Sequence, residues 1–416
     1  MLRRIPDRNI WIIYGAVLML GVAYGVSIAV LALHLDALGI GKIAMGGLAA
    51  TFAGGIVVMA IPAGWLIRRF GAKPVMVAAL FGYAACVGVF PFLKTAGALS
   101  VARFFDGAFS VTVWVSAETA LLVRARPTDK AFVMSLYAMS LAAGYVVGPI
   151  ISAIVVPHAG TGVTFLIAGA LAALAGALVL LRLDGAPGGE SAHGESHDAP
   201  PSSDEAAPSP TAPRASPLAV LWRVKTACAA TFSYGYFQAS LVLFLPLYLV
   251  GPKHVPEDKT ILVTAFFAAG MLSLSIVAAR LGDRLGHLAV MRALAFVGGV
   301  MVALFVALSS FAAMCAAVFV AGATLASISP ISLALQGVVT PAQDLSRANA
   351  FYNAAYACGM LLGPPVSSVL FTRWGGGAML FHLTGLWAVF VTFTLVFAGD
   401  DPRTAARRRQ GAALAR

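Results

Sequence analysis

Apolar residues run through this chain in long unbroken stretches, separated by short polar turns and with no alternation of polar and apolar positions. Twelve such stretches are discernible: 10–35, 44–67, 74–93, 97–123, 130–156 and 163–183, then 225–250, 260–282, 288–309, 311–338, 346–372 and 378–398. Each approaches or exceeds the roughly 20 residues that a helix needs to cross a bilayer. A transmembrane β-barrel would show a two-residue period, which is absent. The pattern predicts an all-α integral membrane protein of twelve transmembrane helices in two pseudo-symmetric six-helix bundles.

Between the sixth and seventh stretches the character changes. Residues 184–217 are rich in Pro, Ser, Gly, Ala and acid, with almost no large apolar side chain. Such a segment cannot bury enough surface to offset its ordering entropy. The expected organisation is a first bundle at 1–183, a disordered cytoplasmic linker at 184–217, a second bundle at 218–400 and a basic tail at 401–416.

The two sets of six repeat each other at a constant offset of 215. Gly64-Trp-Leu66-Ile-Arg68-Arg69-Phe-Gly71 returns as Ala279-Arg-Leu281-Gly-Asp283-Arg284-Leu-Gly286. Tyr137 followed by Gly144, Gly148 and Pro149 returns as Tyr352 followed by Gly359, Gly363 and Pro364, and Gly55 and Gly107 match Gly270 and Gly322. Equivalent halves in so apolar a chain point to a transporter built from repeats around a central site.

Composition supports this reading. At 60% hydrophobic and 11% charged, the chain lies far from the roughly 25% charge of soluble domains. The net charge of +11 is a topology signal and not a nucleic-acid footprint. With an even number of spans both termini share a side. That side holds most of the Lys and Arg, whereas the other holds only Lys42, Lys94, Lys253, Lys259 and Arg373. Both termini are therefore expected in the cytoplasm, with the protein in the cell inner (plasma) membrane and anionic lipid as a secondary contact. The first stretch is too long for a signal-peptide core and is expected to be retained. Cys86, Cys228, Cys315 and Cys358 fall inside spans without metal spacing and read as packing residues.

In order and spacing these motifs resemble the major facilitator superfamily over nearly the whole chain. The family's loop motif between spans two and three, Gly-x-Leu-x-Asp-Arg-x-Gly-Arg-Lys, is matched by Gly64, Leu66, Arg69, Gly71 and Lys73, with Arg68 where the family has Asp. The second copy keeps Asp283, Arg284 and Gly286. Arg103-x-x-Asp106-Gly107 in span four is similar to the family's Arg-x-x-Gln-Gly. Gly144-x-x-x-Gly148-Pro149-x-x-Ser152-Ala153 in span five is similar to a motif of exporters, and so resembles the drug/proton antiporter branch. The resemblance implies that the loop residues belong to a cytoplasmic gate latching the halves. Arg68 reverses a charge there, so another acid must answer it: Glu118 answers it, or instead pairs with Arg124 or reaches interfacial water. Gly144, Gly148 and Pro149, with Gly359, Gly363 and Pro364, read either as tight packing or as a bendable seam between the halves.

Of the acids, only Asp106 and Glu118 fall within spans, with Asp36 at the outer edge of the first. An ionisable residue near the bilayer centre is a functional candidate by default. Arg103 and Asp106 are three apart on one helix and should face the interior between the halves. Either they neutralise each other permanently, or Asp106 binds and releases a proton as Arg103 moves relative to it, since burial opposes the charged carboxylate and a guanidinium favours it. His34, near the outer end of the first span, is a second titratable group, or else simply an interfacial polar residue at a helix end. The second half shows no acid or base clearly inside a span. Its share of the cavity is expected from Tyr236, Gln238, Ser329, Gln336, Asn353 and Tyr356, and the first half's from Tyr24, Trp114 and Tyr137. Such a cavity favours lipophilic, neutral or cationic compounds over anionic ones.

The expected function is proton-coupled export of small hydrophobic or amphipathic compounds by alternating access. Proton-coupled import of a small metabolite and a non-transporting membrane sensor are the alternatives. No phosphate-binding loop, no His-Glu-x-x-His and no cluster of acids or histidines within a span is present, which argues against an enzyme and against direct use of ATP. No cofactor or metal and no nucleic acid are expected; the partners are a small-molecule substrate, protons and lipid, and the protein should work as a monomer.

Overall fold

The computed structural model describes residues 7–126, 130–184, 216–341 and 344–401; the body of the expected linker and the basic tail lie outside the described residues. Within them the chain is helical and contains no strand. The helices are α1 (Arg8–Ala37), α2 (Lys42–Phe70), α3 (Ala72–Val89), α4 (Ala96–Arg124), α5 (Lys130–Arg182), α6 (Pro217–Val250), α7 (Glu257–Leu285), α8 (His287–Phe305), α9 (Phe311–Val339) and α10 (Leu345–Val396).

Helix starts follow local chemistry. The seventh apolar stretch begins at 225, yet α6 starts at Pro217. The Ser216 hydroxyl accepts from the Ala219 amide, and Pro217 supplies a preset φ at the first helical position. Two helices are far longer than a bilayer requires. At 53 and 52 residues, α5 and α10 would each extend about 80 Å if straight, against a hydrocarbon thickness of about 30 Å. Each is interrupted by a glycine in the left-handed region, Gly160 at φ 75° and Gly375 at φ 84°. Those glycines separate the fifth apolar stretch from the sixth and the eleventh from the twelfth.

The repeat is structural as well as sequential. Gly160 and Gly375 are 215 apart, as are Gly71 (φ 86°) and Gly286 (φ 105°), which make the turns from α2 to α3 and from α7 to α8. A Cβ on Gly55 would collide with the Phe104 carbonyl, and one on Gly107 with the Phe52 carbonyl, so α2 and α4 touch backbone to backbone. Gly270 meets Phe319, and Gly322 meets Phe267, in the same way between α7 and α9. All four residues of the first crossing recur at offset 215 in the second. In lipid there is little hydrophobic drive between helices, so such close approach supplies the dispersion energy that holds them.

The span-five and span-eleven glycines, expected to serve tight packing or a seam between the halves, pack within their own halves. Gly144 and Gly148 lie against Gly21 and Gly25 of α1, and Gly359 and Gly363 against the backbone of Phe232 and Tyr236 in α6. The Pro149 ring adjoins Gly25. The small faces are used up by these crossings, which fits the tight-packing alternative.

At the end of the helices that carries the arginine-rich turns, each half is tied between its first and last helical segments. Asn9 donates to the Asp184 carboxylate at 3.3 Å and accepts from the Asp184 amide at 2.9 Å. Lys225 pairs with Asp400 at 2.7 Å. Contacts between the halves run chiefly through α2 with α10 and α5 with α7. At the opposite end from the arginines, Gly46 of α2 faces Ser368 and the Pro364 carbonyl of α10, and the Lys42 ammonium stands 5.3 Å above the Phe371 ring.

Candidate functional site

The two intramembrane charges meet. Arg103 donates to the Asp106 carboxylate one turn along α4, and both residues are nearly inaccessible, at 7% and 6% exposure. Helical spacing puts Ser110 on the same face, and its hydroxyl donates to the other Asp106 oxygen at 3.4 Å. The guanidinium lies 4.2 Å over the Phe52 ring of α2, a desolvated cation–π contact. Arg103 Nε has no hydrogen-bond partner among the described residues.

The pair, expected from its position on α4 to face the interior between the halves, has first-half neighbours around it. It lines a small cavity inside the first half, bounded by Tyr24 and Leu31 of α1, Val87 at the end of α3, Phe90 just beyond it, and Phe165 of α5. The cavity measures about 10 Å³, room for about one water. A second cavity of the same size in the second half is lined by Val302, Phe305, Val318, Ala321 and Leu380. These stand at offset 215 from Val87, Phe90, Arg103, Asp106 and Phe165. The fold makes this cavity twice, and only the first copy is charged.

The tyrosines expected in the cavity divide. Tyr24 packs against Tyr145 of α5, with ring centres 5.3 Å apart. Tyr356 of α10 stacks with Tyr234 of α6 and donates to the Gln238 amide oxygen at 3.0 Å. Tyr145 lies near both Tyr24 and Tyr356, so the Tyr24–Tyr145 and Tyr234–Tyr356 pairs stand close to one another as an aromatic cluster. Tyr145 and Tyr234 belong to it although the sequence singled out neither. Trp114 is half-buried against the core. Gln336 donates to Asn349 at 3.0 Å, and Asn353 is exposed and donates to its own helix backbone. Ser329 contacts Tyr352.

Tyr236 points elsewhere, and it corrects the expectation of a second half without a titratable group in a span. Its hydroxyl lies 2.9 Å from His382 Nε2 in α10. His382 sits only a few residues into the last apolar stretch, where a polar residue reads as interfacial.

The gate residues are not gathered. Glu118 lies beside the Tyr137 hydroxyl. Among the described residues it makes no ion pair with Arg68 or Arg124, and Arg124 instead pairs with Asp7 at 3.5 Å. Arg68 is exposed, Arg69 stacks on Trp65 and Phe70, and Lys73 is half-buried. Gly64 adjoins the Arg68 side chain without crowding. Asp283, largely exposed, approaches His287 of the next turn at 3.4 Å, and Arg284 is exposed.

Long apolar helices in two equivalent halves, with ionic and aromatic groups turned inward, define a multi-pass helical membrane transporter. The model of the Major Facilitator Superfamily matches residues 13–256 and 227–415, and the chain belongs to that superfamily. It is 24% identical over 344 residues, 82% of each chain, to an uncharacterized MFS-type transporter of Enterobacter sp. strain 638. Another uncharacterized MFS-type transporter, from Methanocaldococcus jannaschii, is 24% identical over 178 residues, 43% of this chain and 46% of the relative. Among solved structures, a mutant of the nucleoside transporter NupG superposes with a TM-score of 0.77 at 13% identity, covering 94% of this chain and 99% of that one. A bacterial homolog of the human lysosomal transporter Spinster, inward-facing and occupied, gives 0.70 at 12% identity, covering 95% and 96%. These likenesses establish the fold.

Proposed function

We propose that the protein is a proton-coupled secondary transporter that exports small hydrophobic or amphipathic compounds. It would act as a monomer of twelve spans, with α5 and α10 each folded into two at Gly160 and Gly375. The excess of Lys and Arg at the turns shared with the termini supports cytoplasmic termini in the inner membrane. The observation that carries the proton reading is the charged cavity in one half beside its apolar twin in the other. Because Val318 and Ala321 fill the equivalent places, the scaffold does not require Arg103 and Asp106. A buried ionisable pair that the fold can do without is best explained by ion movement. Asp106 is then neutral when protonated and pairs with Arg103 when it has released the proton. The exporter-like motif of α5 and the aromatic cluster of Tyr24, Tyr145, Tyr234 and Tyr356 support lipophilic substrates.

A second reading, import of a small metabolite with a proton, is favoured by the hydroxyl and amide groups of that cluster, Gln238 foremost; NupG, of similar fold, transports nucleosides. Proteoliposomes test both. Under an imposed pH gradient, ethidium flux by the wild-type protein should follow the gradient and oppose proton flow, and Asp106→Asn should uncouple it. Flux indifferent to the gradient, or full coupling in Asp106→Asn, would refute the proton role. Flux running with the proton selects import.

A further inference from the structure

The charged cavity has a titratable neighbour that the transport reading leaves unused. Tyr24, Leu31 and His34 follow one face of α1, and the first two line the cavity. His34 lies one turn beyond Leu31, toward the end of α1 remote from the arginine-rich turns. It is buried, at 8% exposure. Its Nδ1 is 2.9 Å from the Thr161 hydroxyl, which fixes the ring and leaves Nε2 buried without a partner among the described residues. Between His34 and the cavity stand two stacked rings, Phe90 and Phe165, 5.0 Å apart. Both line the cavity, and both also touch the imidazole, with centres 6.3 Å and 5.0 Å from it.

Three observations argue that this is not ordinary packing. A buried imidazole nitrogen with no partner carries an unmet desolvation cost that an apolar residue would avoid. In the second half the corresponding positions are Leu249 and Gly376, while Phe90 keeps its counterpart Phe305. The scaffold thus tolerates Leu where the first half has His, as it tolerates Val318 and Ala321 for the charged pair. These two departures lie on either side of the same pair of rings, of which Phe165 is itself a departure, with Leu380 in its place in the second half.

We propose that His34 is the outer-side proton relay to Asp106 and that Phe90 and Phe165 form the gate between them, an inference that rests on Asp106 being the proton carrier. A proton from outer water binds His34 to give the imidazolium. When the rings part, Nε2–H passes its proton to a water in the cavity. That water gives a proton to the Asp106 carboxylate, leaving neutral imidazole, neutral carboxylic acid and an intact water. With the rings closed, the step stops. The groups facing His34 across the packed elements are Thr161 and Phe165 of α5 and Phe90 beyond α3. None of these carries a charge. Asp36, exposed at the end of α1, is a nearby acid on its own helix.

Time-resolved infrared spectroscopy of the purified full-length protein after an acid pH jump reads the transfer without any substrate. The Asp106 carboxyl band is the one missing in Asp106→Asn. His34→Gln should leave the amplitude of that band unchanged and slow its rise by about a hundredfold or more, the scale of a lost proton-transfer group. Phe165→Ala should speed the rise in the wild-type background and restore it in His34→Gln, because water then passes directly. A wild-type rate in His34→Gln, or no acceleration in Phe165→Ala, overturns the relay alone. If Asp106→Asn removes no band, the relay falls together with the coupling role on which it rests.

Discussion

At the scale of single residues, the second half is a natural control for the first. Arg103 and Asp106 are buried together, so removing one leaves the other charged and uncompensated, at a cost of about 3–5 kcal/mol for a broken buried pair. Replacing both is a different matter, because Val318 and Ala321 occupy the same places in a cavity of the same size. Arg103→Val alone should therefore lower the thermal unfolding temperature of the detergent-purified protein sharply. Arg103→Val with Asp106→Ala should recover most of the loss while abolishing proton coupling. A double variant as unstable as the single one would mean that the pair is structural. The pair itself was legible in the sequence, since few charges interrupt the apolar runs. Its direction was not. Spacing on α4 puts Arg103, Asp106 and Ser110 on one face, but which neighbours that face meets depends on how α4 rotates against α1, α2 and α3. For His34 the sequence left the choice open for a related reason: a polar residue near a helix end looks interfacial until the helices around it bury it.

At the scale of helices, glycine positions carry the argument, and they fall into three physical kinds. Gly148 has no room, since a Cβ there would press into the backbone of Gly25 and Val26. Gly160 has space but a left-handed backbone, φ 75° with nothing near. Gly97 of α4 has space and ordinary backbone. Alanine at Gly148 forces α1 and α5 apart and should cost about 1–3 kcal/mol, as overpacking does. At Gly160 the cost should be about 1–3 kcal/mol of backbone strain, because φ 75° with ψ 171° is a region open essentially to glycine alone. At Gly97 the substitution should be neutral or slightly stabilising. Chemical or thermal unfolding should set Gly97→Ala apart from the other two, and a loss at Gly97 as large as theirs would contradict these assignments. The helices themselves were readable from apolar run length, and the breaks at Gly160 and Gly375 fall between the expected spans. The offset of 215 in the sequence implies equivalent crossings in the two halves. What the small-residue spacing left open was the partner, because Gly144 and Gly148 present the same smooth face to any helix that comes near.

At the scale of the whole molecule, the question is how the halves meet, and the sequence is silent on it because one chain serves every conformation that ligands select. Here the described contacts between α2 and α10 lie at the end away from the arginine-rich turns. A Cβ on Gly46 would stand 2.6 Å from the Ser368 hydroxyl and 2.8 Å from the Pro364 carbonyl. The first neighbour could rotate aside, but the second is backbone and cannot. Gly46→Leu should therefore wedge α2 from α10 and shift the population toward a state open on that side. Ser368 is fully buried, so a cysteine placed there in a chain lacking its native cysteines should resist a membrane-impermeant maleimide. In the Gly46→Leu background it should react, and with the proposed orientation it should do so in intact cells. Gly54 of the same helix has no neighbour in reach, so Gly54→Leu should leave the cysteine protected. Labelling that appears only in inverted vesicles would reverse the orientation drawn from the arginines. Equal labelling in the two leucine variants would mean that the α2–α10 contact does not hold this end closed.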